Sequence, residues 1–528
     1  MGRNTNREDR EPLLPLDTLA ALRTGGAARR TDGLEDEMIL RFAAKDPHLG
    51  EAIERAAARH AELLQTDWKA RLLGPETELI EWLQADYVNF YPPAHINPYV
   101  PLAASGPWIV TTHGAVLHDN GGYGMLGHGH SPHAVMEAMT APLVMANVMT
   151  PSLSHRRFSE LLRAELGATR PDGCPFSRFL CVNSGSESVS VACRISDHNA
   201  LRHVGPGGRR EGATIKLLSL SGSFHGRTGR PAQASHSTLP RYREHLASFA
   251  ARDNLLTCPP NDADRLREIF AQAKADNVFI EMMFIEPVMG EGNPGQGVTR
   301  AFYDAARELT LAHGSLLLVD SIQAGIRGTG RLSIVDYPGF QDAAPPDLET
   351  WSKALNAGQY PLSVLGLTER AAGLYVHGVY GNTMTTNPRA LEIGATVLAS
   401  LTPALRQNIV ARGHELVAGL HGLQDEFGSD VVTAVQGTGL LVSAELDPER
   451  IEVTGTEGLE TWCRRHGLGV IHGGENALRF TPHFGVTSEE VALVVHVVRQ
   501  GIRAMLGLEG VLAEAKPHPV STVRAEDR

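Results

Sequence analysis

A lysine in Trp351-Ser352-Lys353-Ala354-Leu355 and an aspartate closing the apolar run Leu316-Leu317-Leu318-Val319-Asp320 form the pair in this chain best suited to chemistry. The run reads as a buried parallel strand, which would carry the Asp320 carboxylate to the strand's C-terminal edge, where open α/β sheets place ligands. A lysine amine forms a Schiff base with an aldehyde, and an acid holds a pyridine nitrogen protonated so that the ring accepts electrons. Together they are what pyridoxal 5'-phosphate requires. Each alone has a plainer reading, since most lysines are solvated surface groups and an aspartate after a strand often caps a helix.

Further candidates follow other strand-like runs. Asn183-Ser184-Gly185-Ser186-Glu187-Ser188 comes after an apolar strand and before a helix, so its N–H groups and hydroxyls suit an anion such as a phosphate. An ordinary serine-capped helix is its plainer reading. In Ser223-Phe224-His225-Gly226-Arg227-Thr228 the aromatic ring suits stacking on a flat heterocycle and Arg227 suits an anionic group, against the reading of a surface turn. Glu286-Pro287-Val288-Met289-Gly290-Glu291-Gly292 and Asp320-Ser321-Ile322-Gln323 end two more strands, and Gly381-Asn382-Thr383-Met384-Thr385-Thr386-Asn387-Pro388 completes the order after Lys353.

The elements that must position these residues are apolar strands alternating with helical stretches from 151 to about 375, which predicts a mainly parallel, doubly wound sheet. The strands are centred on Phe179 to Val182, Ile215 to Leu218, Val278 to Ile285 and Leu316 to Val319. Residues 151–385 are thus read as a large domain. A smaller α+β domain is assembled from 100–150, where Trp108 to Leu117 reads as a hairpin, and 386–510, with a helix through Leu391 to Leu401 and another near Val491 to Leu506. Residues 1–99 read as a tail, poorly ordered to about 35, then a helical extension, and 511–528 as a polar tail.

Composition narrows the function classes. A 42% hydrophobic, 20% charged chain of 528 residues is that of a folded globular protein, and a net charge of −12 without a basic run argues against nucleic acid or anionic membrane as partner. Cys174, Cys181, Cys193, Cys258 and Cys463 show no CxxC spacing, which suits free thiols and the cytoplasm. No run of about 18 apolar residues and no apolar leader segment is present, so neither secretion nor membrane insertion is expected. Gly127-His128-Gly129-His130-Ser131-Pro132-His133 has a metal-like spacing, but without a companion cluster it is read as structural. A Walker loop is absent, and Gly437-Thr438-Gly439 does not sit at a strand-to-helix crossover.

With these motifs in this order, the chain resembles the class III, ornithine- and 4-aminobutyrate-type aminotransferases of the pyridoxal-phosphate fold type I superfamily, over roughly residues 100 to 510. The resemblance implies Lys353 as the Schiff-base lysine and proton carrier, Asp320 as partner of the ring nitrogen, and Gln323 as neighbour of the ring's phenolic oxygen. It further implies Gly185 and Ser186 at the phosphate, Phe224 stacked on the ring and Glu286 near it. Thr383 would reach the phosphate of the other subunit's cofactor, which makes the protein a homodimer. Glu291 is similar to a glutamate that pairs with a switchable arginine, here Arg479 in Leu478-Arg479-Phe480-Thr481-Pro482, whose fork suits a substrate carboxylate. Tyr123 is a candidate for the substrate entrance, with simple packing as its plainer reading. The implied reaction moves an amino group from an amine or amino acid to a keto acid, with 2-oxoglutarate as the second substrate. Racemases, aminomutases and decarboxylases share the scaffold and remain the alternative. Departures from the family pattern at Ser321, Thr385, Thr386 and His483, and the order Arg327-Gly328-Thr329-Gly330, are expected to fall around the substrate side.

Overall fold

The computed structural model describes residues 15–23, 29–122, 124–145 and 148–508. Its centre is a seven-stranded sheet in the order Arg178–Val182, Ser363–Leu367, Leu348–Trp351, Leu316–Asp320, Val278–Ile285, Thr214–Leu220, Leu255–Cys258. Five of these strands pair in parallel from Leu348–Trp351 outward to Leu255–Cys258. Ser363–Leu367 runs against both its neighbours, so Arg178–Val182 points the same way as the rest. Every strand that precedes a candidate motif therefore ends at one edge of the sheet. The single reversed strand carries none.

The doubly wound arrangement follows from the two-residue strand period acting on continuous apolar runs. Met283, Ile285, Leu317 and Val319 face one side and pack with Leu266, Phe270, Phe302 and Tyr303 of the helices Ala263–Ala275 and Arg300–His313. Met282, Phe284, Leu316 and Leu318 face the other and pack with Val189, Ala192 and Ile195 of the helix Gly185–Val204. Burial on both faces is why these strands lack polar alternation.

Two four-stranded sheets flank this layer. In one, the hairpin Trp108–Thr111/Val116–Asp119 is joined by Pro101–Ser105 and, in parallel, by Leu468–Gly469 from the far end of the chain. The other contains Val432–Thr438, Leu441–Leu446, Ala477–Phe480 and Ile471–Gly473, with the long helix Pro403–Phe427 packed on it. Asparagine and proline start the helix Pro388–Ala399: Asn387 accepts from the Ala390 N–H and Pro388 takes the first helical position.

The N-terminal region differs from expectation. Within the stretch read as poorly ordered, Pro15–Arg23 is a helix with Leu19 and Leu22 buried against the helix Pro47–Leu63, and Arg23 Nε donates to the Gly114 carbonyl at 3.1 Å. The charged residues that suggested disorder cluster before Pro12, whereas Leu16, Leu19 and Leu22 repeat at helical spacing and supply a face to bury. The proposed tail from 511 lies outside the described residues. All five cysteines are free thiols, and among the described residues no helix is long and apolar enough to cross a membrane.

Candidate active site

The strand Leu348–Trp351 is in register with Leu316–Asp320, Thr350 lying opposite Asp320, so the chain beyond Trp351 turns at the edge where Asp320 sits. There Lys353 takes a left-handed backbone conformation (φ +45°), opening the short turn Lys353–Asn356. Such a conformation costs a non-glycine residue about 1–3 kcal/mol. It is pinned by two donors to one acceptor: Ser352 Oγ and Asn356 Nδ2 reach the Leu362 carbonyl at 2.7 and 2.9 Å.

Lys353 opens into a cavity of about 410 Å³, within the ~300–1,000 Å³ range of small-molecule sites. Gly185, Ser186, Phe224, Glu286, Asp320 and Gln323 line the same cavity. Burial, followed by the Arg479 charge, pushes the Lys353 amine down to about 8, against the pull of Glu291, Asp320 and Glu286. Lys45, Lys69 and Lys274 are exposed, and Lys216 pairs with Asp253 at 3.0 Å.

Asp320 is buried, and His225 Nδ1 lies 2.9 Å from its Oδ2, while Oδ1 accepts from the Ile322 N–H at 3.2 Å. His225 stood in a quoted motif without a role, because its partner is 95 residues further on and no local spacing reports the contact. Glu286 accepts from the Phe224 and Gly290 N–H groups at 2.9 and 3.0 Å, and burial pushes its carboxyl up to about 7.

At the helix Gly185–Val204 the cap leaves two donors over. Ser184 Oγ accepts from the Glu187 N–H, and the Glu187 carboxylate accepts from the Asn183 and Ser184 N–H groups and from Asn382 Nδ2. Ser188 N–H bonds the Ser184 carbonyl, so Gly185 and Ser186, at the first two helical positions, keep N–H groups without an intrahelical acceptor. Two glycines keep this corner open. A Cβ on Gly226, whose φ is +113°, would lie 2.4 Å from Ser186 Oγ, and one on Gly290 would lie 2.2 Å from the Gln323 amide carbon.

A charged wall stands beside the cavity. Arg479, buried on the strand Ala477–Phe480, reaches Glu291 Oε2 and Gln323 Oε1 at 3.3 Å each and also donates to the Gly290 carbonyl. Arg227 lies 3.8 Å from the other Glu291 oxygen, its guanidinium between the rings of Phe224 and Phe90, 5.0 and 4.5 Å from their centroids. Phe90 is a contact that sequence reasoning missed; it comes from the N-terminal extension and carries no motif.

Thr383 is exposed and lies outside this cavity, and Tyr123 lies outside the described residues. The departures expected around the substrate lie elsewhere. Ser321 is buried and donates to Glu349 at 2.6 Å, and His483 binds Glu490 at 3.0 Å. Thr385 and Thr386 line a different cavity with Tyr375 and Tyr380, and Arg327 donates to the Leu440 and Pro482 carbonyls. Within one subunit Ser321, Arg327 and His483 make framework contacts and none of the five lines the cavity at Lys353. Of the histidine-rich segment, His130 binds Asp119 at 3.0 Å and His128 is packed edge-on to Phe484.

A half-buried amine, an acid with a fixed orientation, an aromatic wall and free N–H groups at a helix start fit the aldehyde, ring nitrogen, ring face and phosphate of pyridoxal phosphate. The sequence model of the aminotransferase class-III family matches residues 91–502. The chain belongs to the class III aminotransferases. It is 31% identical over 318 residues to the acetylornithine aminotransferase of Xanthomonas axonopodis pv. citri, covering 60% of this chain and 71% of that one. It is 28% identical over 423 residues to the acetylornithine aminotransferase of Neisseria meningitidis serogroup A, covering 79% and 95%. The ornithine aminotransferase structure from Toxoplasma gondii ME49 superposes with a TM-score of 0.69 at 21% identity, covering 84% of this chain and 100% of that one, which shows the shared fold. This class III aminotransferase is a pyridoxal-phosphate-dependent transaminase of fold type I.

Proposed function

We propose that Lys353 holds the cofactor covalently at rest and moves the proton during transamination. The observation that carries this reading is an amine lowered to about 8 at the mouth of a cavity it shares with Asp320. Pyridoxal phosphate supplies, when bound, an aldehyde that captures amines and a pyridinium that takes up electrons from the substrate carbon. Gly185 and Ser186 would bind its phosphate, Phe224 would cover its ring, Gln323 would meet its phenolic oxygen, and Asp320 would hold its nitrogen, with Glu286 alongside. An amine with a pKa near 8 serves as base and then acid close to neutral pH, so Lys353 would take a proton from the substrate carbon and deliver it to the carbon of the cofactor's former aldehyde. Asp320, oriented by His225, keeps negative charge against the pyridinium, and groups of this kind change rates by roughly 10²–10³ each.

The substrates we propose both carry carboxylates: a donor amine engaged by Arg227, as acetylornithine would be, and a dicarboxylic keto acid such as 2-oxoglutarate engaged by Arg479. Support comes from Glu291, a carboxylate of the chain itself lying between the two arginines, where a substrate carboxylate would compete. The enzyme is a cytoplasmic homodimer in this reading, Thr383 serving the partner's cofactor. Exposed Val144, Met145, Val148, Leu153 and Met384 favour the dimer, and free cysteines favour a reducing compartment. Light scattering on the holoenzyme tests the dimer. Incubation with a panel of carboxylate-bearing amines tests the reaction: the aminated cofactor and a carbonyl product are expected, and α-proton exchange without a carbonyl product would overturn it.

A further inference from the structure

Away from this cavity, three side chains from distant parts of the chain converge where the N-terminal extension meets the C-terminal sheet. His95 ends the short turn Pro93–His95, Glu460 lies on the helix Leu459–Arg465, and His472 lies on the strand Ile471–Gly473. One ligand atom from each falls within 4.8 Å of the other two. We propose that His95, Glu460 and His472 bind one divalent transition-metal ion of the zinc class, tying the extension to the sheet.

The bonding pattern separates this from an ordinary ion-pair cluster. Glu460 Oε1 is held by Arg464 Nη2 at 2.5 Å and by the His472 N–H at 3.1 Å, which orients the carboxylate as outer-shell donors do in metal sites. Glu460 Oε2 meets only His472 Nδ1, at 3.0 Å, a nitrogen that also lies 3.2 Å from Oε1. His95 Nδ1 is shielded from solvent and has no hydrogen-bond partner, although its ring centroid is 5.0 Å from that of His472. An ion pair between Glu460, Arg464 and His472 leaves that nitrogen without a purpose. A metal ion gives it one.

Two imidazoles and a carboxylate are a donor set that zinc takes at about 2.0–2.2 Å, and tetrahedral angles then put ligand atoms roughly 3.4 Å apart; Glu460 Oε2 and His472 Nδ1, at 3.0 Å, are already that close, and a pair at the 4.8 Å limit would close by about 1.4 Å. His95 and Arg464 also border a cavity of about 650 Å³, which leaves room for water or a small anion as the fourth ligand. The second histidine–glutamate cluster has no such spare capacity. His118 and His483 both bind Glu490 Oε1 at 3.0 Å, and Oε2 accepts from the Thr487 N–H and hydroxyl to cap the helix Ser488–Met505.

The test uses full-length holoenzyme stripped with chelator, titrated with Co²⁺ by visible absorption and with Zn²⁺ by calorimetry. One ion per chain and the d–d absorption of a low-coordinate Co²⁺ site are expected. His95→Ala and His472→Ala should each weaken binding by at least the roughly 10–100-fold that loss of an outer-shell partner costs, and His483→Ala should leave it unchanged. No binding by the wild type, binding that survives both substitutions, or binding lost in His483→Ala would each overturn the assignment.

Discussion

Replacing His225 by alanine removes the best-placed donor to Asp320 and tests whether that carboxylate works through its orientation. His225 Nδ1 is 2.9 Å from Asp320 Oδ2, and the remaining donor, the Ile322 N–H at 3.2 Å, serves the other oxygen. The contact is shielded from water, His225 being 1% and Asp320 4% exposed. A hydrogen bond to a charged group is worth about 1.5–3 kcal/mol, and leaving its partner buried without it costs the same order. At about 1.4 kcal/mol per tenfold, the rate of the first half-reaction should fall about 10- to 150-fold. Alanine also removes packing against Phe284, whose ring centroid is 5.1 Å from that of His225, so lost stability must be separated from lost catalysis. His225→Asn does this, because its amide nitrogen can take the place of Nδ1. Single-turnover measurement with saturating cofactor should find His225→Ala slow and His225→Asn restored to within about tenfold of wild type. An unchanged His225→Ala, or an asparagine variant as slow as alanine, would refute the reasoning.

Three further outcomes follow from the same geometry. Arg479→Ala should raise the KM for a dicarboxylic keto acid about 10- to 100-fold through loss of a charge-assisted contact, with a smaller effect on the amine half-reaction; equal damage to both halves would count against it. Because only the neutral amine attacks the cofactor, recombination of apoenzyme with pyridoxal phosphate should accelerate with pH and level off near 8, the value to which Lys353 is pushed down; stopped-flow rates rising on to about 10.4, where an unperturbed lysine titrates, would contradict the shift. Gly226→Ala should lose cofactor affinity without unfolding, since its Cβ would press on Ser186 Oγ at a φ of +113°, and cofactor titration with a thermal melt distinguishes the two effects.

The large sheet was legible because its central strands carry apolar runs, Leu316 to Val319 and Met282 to Ile285, closed by Asp320 and Glu286, and both features survive in a linear text. Gly185, Phe224, Gln323 and Lys353 could be assembled because the motifs follow strands in a recognisable order. His225 escaped, since its partner is set by sheet order rather than by spacing. The helix Pro15–Arg23 escaped because neighbouring charge masked three leucines at helical spacing. Ser321 and His483 were assigned to the substrate side from their places in the motifs, yet their hydrogen bonds run to Glu349 and Glu490, and sequence gives no sign of which way a loop side chain turns.

The central claim is that Lys353 carries the cofactor. Borohydride reduction of the holoenzyme, followed by peptide mapping, fixes the covalently held group to whichever lysine bears it. The account predicts the pyridoxyl mass on the peptide containing Lys353 and its absence from peptides with Lys45, Lys69, Lys216, Lys274 and Lys516. A label on any of those, or a Lys353→Ala enzyme that keeps the same reducible adduct, would contradict it.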